Sequence, residues 1–472
     1  MKAMCGIVGG LGIPKVAAEL KSMLYFIQHR GQESAGMVTT GGEAEGRFCE
    51  HRANGLVNDV FTPDVLVKLQ GGSGIGHNRY PTQENAVIQP VSREVGGEKW
   101  SVAHNGNLTN DIADFAVDTL LILDNLCDTD SSQPVPERVF AAIKDLQGAF
   151  SLLILHQDKE GRNTLLAVRD PQGFRPLCMA QYNGGYLFAS ESCAFNAIAE
   201  ATFVRHIEAG EIVYVNAGGL NIYKPQSWQG KRKARCIFEL IYFSRPDSRV
   251  ETEGQMKNPV YVGQVQEELG RELARENPDV AADILVPVPM SGIRHAEGFH
   301  NEDQRIPLCQ ALTRSHYGQR TFIADGEGRL QKILRKFIFI IYLLSDKYIA
   351  LVEDSIVRGS TMAVLIKAIK QVVGRVRGIV VLIASPPIKF PCFFGIYTPK
   401  KKELAFNKFG GVEQTRENIG ADDLRYLSFD GMMNAVCRTT GIKAGDYCAA
   451  CFSGEYPACV EIKNPQYRQE IE

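Results

Sequence analysis

The apolar positions of the chain fall into two regimes. In the first half they come as short β-type runs broken by glycine and asparagine, at residues 5–10, 74–77, 100–104, 150–155, 165–168, 187–190 and 211–215. Strand-length runs bounded by turn formers predict sheet. A helical period appears around residues 16–28 and again around 135–146. That mixture predicts an α+β unit whose sheets are covered by a few helices. The second half alternates strand and helix. Residues 284–287 and 348–352 read as buried parallel strands, and 379–384 as the next one. Between the last two, Met362, Leu365, Ile366, Ile369, Val372 and Val373 form one helical face, with Gly374 placed to end it. A strand–helix–strand unit implies a parallel sheet. The most apolar run, residues 337–344, reads as one buried strand.

Length, composition and charge narrow the picture without changing it. At 472 residues two domains are the natural expectation. A net charge of -2 gives no electrostatic case for nucleic acid or an anionic membrane. The start does not resemble a secretory signal, because glycines and Lys15, Glu19 and Lys21 interrupt any apolar stretch. No run approaches the roughly 20 apolar residues of a membrane helix. A cytoplasmic protein is the expectation. The composition shifts near residues 226–235, where Trp228, Lys231, Arg232, Lys233 and Arg235 cluster. A solvated linker is the plainer reading of that stretch than a nuclear address or RNA patch. Twelve cysteines at this length do not suggest a disulfide framework. Most are expected to be small buried apolar residues, with exceptions for catalysis or metal.

Cys5 is one candidate exception. A cysteine at a mature N-terminus can use its own α-amine as general base, since that amine titrates near about 7.7–8.0. A buried structural cysteine is the bland alternative. Three polar segments accompany it. Gln28-His29-Arg30-Gly31 follows a helix; Gly76-His77-Asn78-Arg79-Tyr80 puts an arginine fork just past a strand; and His104-Asn105-Gly106-Asn107 is a tight turn. Arg79 suits a carboxylate. The Asn105 amide and the Gly106 N–H suit an oxyanion. Each segment alone is also a plausible turn or cap.

Taken together, Cys5-Gly6-Ile7-Val8-Gly9, the QHRGQESAG stretch, GHNRYPT and HNGN resemble the class II, N-terminal-nucleophile glutamine amidotransferases. The match continues through Arg169-Asp170-Pro171, Arg175-Pro176-Leu177 and Ala189-Ser190-Glu191-Ser192. The resemblance implies a layered αββα domain over residues 5–230. It implies Cys5 as nucleophile, Asn105 and Gly106 as oxyanion donors, Arg79 on the glutamine α-carboxylate and Asp128 on its α-amine. Residues 1–4 precede Cys5 and lock its amine in an amide. A free-amine mechanism therefore requires their removal, by autocatalysis or by initiation at Met4 followed by trimming.

The second half carries Glu353-Asp354-Ser355-Ile356-Val357-Arg358-Gly359-Ser360-Thr361 between an apolar strand and a helix. Paired carboxylates at a strand end suit ribose hydroxyls or Mg²⁺. Gly359, Ser360 and Thr361 at a helix N-terminus suit phosphate. An acidic turn with a helix cap is the alternative. The segment resembles the phosphoribosyl-pyrophosphate (PRPP) signature of type I phosphoribosyltransferases, which implies an α/β domain over residues 231–472. The same resemblance implies PRPP bound by Glu353, Asp354, Ser355, Arg358, Gly359, Ser360 and Thr361, with magnesium at Ser291, Glu353 and Asp354. Three features depart from the pattern. Glu353 replaces an aspartate, Met290 stands where an aspartate is usual, and residues 337–344 are apolar beside a lid segment at Arg320-Thr321-Phe322-Ile323 and Arg335-Lys336.

Cys448-Ala449-Ala450-Cys451 is a CxxC pair of the kind that binds zinc or iron–sulfur clusters. Spacing alone does not choose its partners among Cys236, Cys392, Cys437 and Cys459. The contexts RCIFE, PCFFG and YCAACFSGEYP resemble the cluster-bearing amidophosphoribosyltransferases. That resemblance implies a [4Fe–4S] cluster on Cys236, Cys392, Cys448 and Cys451. It also implies glutamine and PRPP as substrates of an enzyme of purine synthesis, a homotetramer and inhibition by purine nucleotides. Two alternatives stand beside it: another class II amidotransferase making aminosugars or asparagine, and a regulatory or glutaminase-only paralogue with a decayed phosphoribosyltransferase site.

Overall fold

The computed structural model describes residues 5–40, 48–80, 87–110, 117–253, 258–315, 329–396, 398, 400–458 and 460–463. The first half is built on two antiparallel sheets. The seven-stranded sheet has the spatial order Thr202–His206, Cys178–Tyr182, Gly185–Ala189, Gly6–Leu11, Ser73–Arg79, Ser34–Thr40, Phe48–Asn54. The six-stranded sheet has the order Gly219–Tyr223, Ile212–Asn216, Asn163–Arg169, Gly148–Gln157, Glu98–Leu108, Val91–Val95. Strand side chains alternate between faces, so each strand here feeds two cores. Between the sheets, Ile7, Val38 and Ile75 pack with Ala103, Leu153, Leu155 and Phe188. On the outside, the helix Val16–Phe26 covers the first sheet through Val16, Leu20, Met23 and Leu24. The helices Asp118–Cys127 and Val135–Ile143 cover the second. The result is four layers, αββα.

The second half contains a four-stranded parallel sheet, ordered Ile284–Pro287, Tyr348–Glu353, Gly378–Ile383, Asp423–Tyr426. Parallel strands need both faces covered, which is why they read as continuous apolar runs. Ala350 and Val352 face the helices Val262–Glu276, Ile293–Glu302 and Phe429–Thr440. Ile349 and Leu351 face the helix Ser360–Val373, which Gly374 ends at φ 79°. The chain therefore leaves the strand end at Glu353, loops through residues 354–359 and enters that helix, as expected.

Two expectations are corrected. Residues 337–344 are not one buried strand. Phe337–Phe339 is a short strand paired antiparallel with Leu312–Arg314, and Ile341–Leu344 is a single helical turn. A two-stranded ribbon buries one face only, so Phe337 and Leu344 point inward while Ile338, Ile341 and Tyr342 are exposed. The stretch before the second half is also not uniformly solvated. Residues 229–233 are exposed, but Trp228 is buried, with its ring 5.3 Å from Phe140.

Candidate active site

The strand Gly6–Leu11 is central in its sheet, and Cys5 stands just before it, where the strand leaves the hydrogen-bonded ladder. The position is fixed from two sides. Ser190 Oγ accepts from Ile7 N at 3.0 Å and Ser190 N donates to Ile7 O at 3.0 Å. Arg30 Nε donates to Cys5 O at 3.1 Å. Burial pushes the Cys5 thiol above its ordinary range, partly offset by the Tyr80 N–H and the Arg79 and Arg30 guanidinium groups. The thiol is thus held protonated until a base takes its proton.

Arg30 belongs to a buried ion network. Its guanidinium meets Glu191 at 2.6 Å and Glu239 at 2.8 Å; Arg175 reaches Glu239 at 3.3 Å and His29 reaches Glu191 at 2.8 Å. Burial disfavours all these charges, but the opposing partners outweigh it, so both arginines are held above their usual range and both carboxyls below theirs. The residues come from both halves of the chain, and the backbone of Cys5 hangs on the network.

Arg79 ends the neighbouring strand Ser73–Arg79, with Glu33 at 3.9 Å. Asn105 and Gly106 lie near the end of Glu98–Leu108 in the facing sheet. The Asn105 side chain is buried, and its Nδ2 has no hydrogen-bond partner. An orphaned buried donor is costly, and such groups mark sites that a ligand completes. At Gly106 a Cβ would fall 2.0 Å from Ala149 O, so only glycine lets the chain pass.

Asp128 does not join this group. It is the exposed C-cap residue of the helix Asp118–Cys127. Asp118, at the other end of that helix, does. Its carboxylate accepts from Leu108 N at 3.2 Å, lies 3.4 Å from His104 Nδ1 and is within electrostatic reach of Cys5. Burial opposes its charge, but His104 and the N–H groups of Leu108 and Thr119 hold the carboxyl below the usual range. The cue in the sequence was an acid at the first position of an apolar-periodic helix, where the N-terminal N–H groups favour an anion. Asp118 thereby holds the end of Glu98–Leu108 while lying in electrostatic reach of Cys5.

The second site is a cavity of 360 Å³ at the C-terminal end of the parallel sheet, lined by Tyr242, Ser291, Lys336 and residues 353–361. Ser291 Oγ donates to Glu353 Oε1 at 2.5 Å, and Ser355 Oγ bonds Asp354. Burial, and then the neighbouring Asp354, pushes the Glu353 carboxyl well up. Two acids crowded in one pocket are the chemistry that a cation relieves. Gly359 caps the helix Ser360–Val373 at φ 73°, bringing N–H groups into the cavity. Arg358 sits at the lip and pairs with Glu403 at 3.0 Å. Met290 is exposed and does not line the cavity. The expected lid residues 320–323 lie outside the described residues. Sequence reasoning also missed Tyr242. It lines this cavity, and burial, then Asp354, Glu353 and Tyr80, push its hydroxyl pKa up.

The four expected cluster cysteines are gathered in one place. Arg235–Cys236 pairs in parallel with Tyr447–Cys448, setting Cys236 opposite Cys448, and Cys451 lies one turn on. Cys392 Sγ accepts from Phe394 N at 3.4 Å. Burial pushes the Cys236, Cys448 and Cys451 thiols up; each of the three feels Cys392, and Cys451 feels the other three. Arg175 is the buried cation beside them. Among the described residues no three His, Cys, Asp or Glu side chains are grouped to hold a single metal ion. Cys437 is half-buried, and Cys459 lies outside the described residues.

Comparison with known proteins agrees with this geometry. A family model described as a glutamine amidotransferase domain matches residues 77–197. The amidophosphoribosyltransferase of Rhizobium etli is 36% identical, over 98% of this chain and 93% of its own. That of Methanothermobacter thermautotrophicus is 36% identical, over 96% and 94%. The solved glutamine PRPP amidotransferase from B. subtilis, complexed with ADP and GMP, superposes with a TM-score of 0.84 at 31% identity, over 97% of this chain and 98% of that one. The structure titled the allosteric regulatory enzyme of purine biosynthesis gives 0.85 at 30% identity, over 99% of each chain. With an αββα layer pair, a PRPP-type loop on a parallel sheet and full-length relatives of this similarity, the chain belongs to the amidophosphoribosyltransferase family.

Proposed function

We propose that this chain moves the amide nitrogen of glutamine onto PRPP, giving 5-phosphoribosylamine, glutamate and pyrophosphate in the first step of purine synthesis, with the glutaminase in residues 5–230 and the transferase in 231–472. The observation that carries the glutaminase assignment is that Cys5 lies in electrostatic reach of Arg79 and Asp118, and that Asp118 is bonded to Leu108 N on the strand bearing the orphaned Asn105 amide. Arg79 takes the glutamine α-carboxylate and Asp118, in place of Asp128, the α-ammonium. Cys5 Sγ attacks the side-chain amide carbon; the Asn105 amide and Gly106 N–H receive the oxyanion. Collapse expels ammonia and leaves a thioester, which water cleaves to glutamate. The proton base is the Cys5 α-amine, which requires that residues 1–4 be removed; they lie outside the described residues.

In the second cavity the Gly359–Thr361 helix start suits the 5-phosphate, and the Glu353–Asp354 pair suits the ribose hydroxyls. Ser291, Glu353 and Asp354 would hold Mg²⁺, which supplies charge neutralisation for departing pyrophosphate. Tyr242, which lines the second cavity, would border the path of ammonia into it. Cys236, Cys392, Cys448 and Cys451 would hold a [4Fe–4S] cluster; its contribution is to tie the start of the second half to the chain's later segments. Purine nucleotides are the proposed inhibitors, by analogy with the ADP and GMP of the B. subtilis relative. The homotetramer and the cytoplasmic location rest on family resemblance. No helix among the described residues is long and apolar enough to cross a membrane.

Cys5→Ser tests the division of labour. It abolishes glutamine-dependent pyrophosphate release and leaves synthesis from ammonia intact. Loss of both activities in a folded variant would overturn the scheme. Anaerobically purified protein contains iron and acid-labile sulfide in equal amounts; iron near zero would remove the cluster.

A further inference from the structure

The end of the strand Glu98–Leu108 is gripped by the other half of the chain. Asn107 Nδ2 donates to Phe393 O at 2.8 Å, besides its bond to Leu108 O at 3.0 Å. Thr109 Oγ1 donates to Glu461 O at 2.7 Å, and Lys463 N donates to Thr109 O at 2.8 Å. Gly395 lies directly against Gly106. A Cβ built on Gly395, whose φ is 106°, would come within 3.0 Å of both Cα and C of Gly106. A Cβ on Gly106 would in turn fall 2.0 Å from Ala149 O. The glycine of the oxyanion turn is therefore clamped between backbone of its own sheet and backbone from the phosphoribosyl half. The clamp is itself anchored: Phe394 stacks on Phe174 with ring centroids 4.3 Å apart, and Phe394 O accepts from Arg175 Nε at 2.8 Å.

We propose that Gly395, together with the Phe393 carbonyl, is a positioning element for the glutaminase reaction: it sets the place of the Gly106 N–H and the neighbouring Asn105 amide relative to Cys5. The inference rests on the reading of those two groups as oxyanion donors. Such donors act at about 2.7–3.1 Å from the developing oxygen, so a shift of a few tenths of an ångström is felt in the transition state more than in substrate binding. Glutamine itself is held by Arg79 and Asp118, on other elements.

The test uses the full-length protein with Gly395→Ala and, separately, Asn107→Ala. The first pushes on Gly106 and strains its own backbone; the second removes the side chain that donates to Phe393 O and Leu108 O. The expected result is a fall in glutamine kcat of about tenfold or more for Gly395→Ala and about three- to tenfold for Asn107→Ala, with KM for glutamine within about twofold. Synthesis from ammonia stays within about twofold of the parent, because neither residue lines the PRPP cavity. Unchanged glutamine kcat in folded Asn107→Ala overturns the proposal, as does a parallel fall of the glutamine and ammonia activities. Asn105→Ala separates the underlying reading from this one. If it leaves glutamine hydrolysis at the parent rate, the oxyanion assignment itself has failed.

Discussion

Asp118 and Asp128 bracket one helix, and their roles show how a single side chain's position decides chemistry. Ten residues of helix put the two carboxylates about 15 Å apart. Only Asp118 reaches His104, Leu108 N and the field of Cys5. Its carboxylate is depressed and retains partial exposure, which suits an ammonium ligand. Asp118→Asn is expected to raise KM for glutamine by about ten- to a hundredfold, the worth of a charge-assisted hydrogen bond, with a smaller effect on kcat. Asp128→Asn leaves both constants at the parent values. Steady-state glutaminase kinetics of the two variants settles the assignment, and the reverse ranking would restore Asp128. The sequence misled here for a physical reason. Cys127-Asp128-Thr129-Asp130 has the composition of an acidic recognition turn, yet it is a helix exit facing solvent, whereas the acid in electrostatic reach of Cys5 is at the helix entrance.

At the scale of elements, the turn Gln28–Arg30 and the helical turn Glu239–Phe243 are joined by a buried network rather than by apolar packing alone. Glu239 receives both Arg30 and Arg175. Removing it leaves two buried guanidinium groups to the single carboxylate of Glu191, which costs about 3–5 kcal/mol. Glu239→Ala should therefore lower the denaturation midpoint strongly and loosen Cys5 through Arg30, while Glu239→Gln, which keeps hydrogen-bond acceptors, is milder. Chemical denaturation of both variants measures this; an alanine variant as stable as the parent would show the network to be dispensable. Much at this scale was legible. The parallel strands, the helix Ser360–Val373 and its glycine stop follow from uninterrupted apolar runs and a clean 3.6-residue period. The strand Ser34–Thr40 was not legible as a strand, since SAGMVTT lacks alternation; it is buried along its whole length between strands of its sheet. Residues 337–344 misled in the opposite sense. Their hydrophobicity suggested burial, but an edge ribbon and a lone helical turn leave Ile338, Ile341 and Tyr342 exposed.

For the molecule as a whole, the two active sites were separable in sequence, but their mutual dependence was not. No spacing rule announces that Gly395 would lie on Gly106, or that Tyr242 would line the cavity of Glu353 and Asp354. Those contacts join residues far apart in the chain, and only the packed domains bring them together. The interior between the two sheets also carries a titration consequence for the whole fold. His77 is fully buried, and burial lowers its pKa to about 3, with His104 and Arg79 adding to the shift and a contact with the His104 backbone opposing it. In the unfolded chain the same ring titrates near about 6.5. Below that pH the unfolded state takes a proton that the folded state refuses, so stability is lost as pH falls from about 6.5 toward 3, by up to about 1.4 kcal/mol per pH unit from this residue. Above pH 6.5 it contributes no slope. His77→Gln removes the titration, and its stability should vary less steeply between pH 6.5 and 5 than the parent's, by about one proton in the linkage slope. Urea denaturation at half-unit pH steps measures that slope, and identical slopes in the two proteins would mean that His77 takes up its proton within the fold.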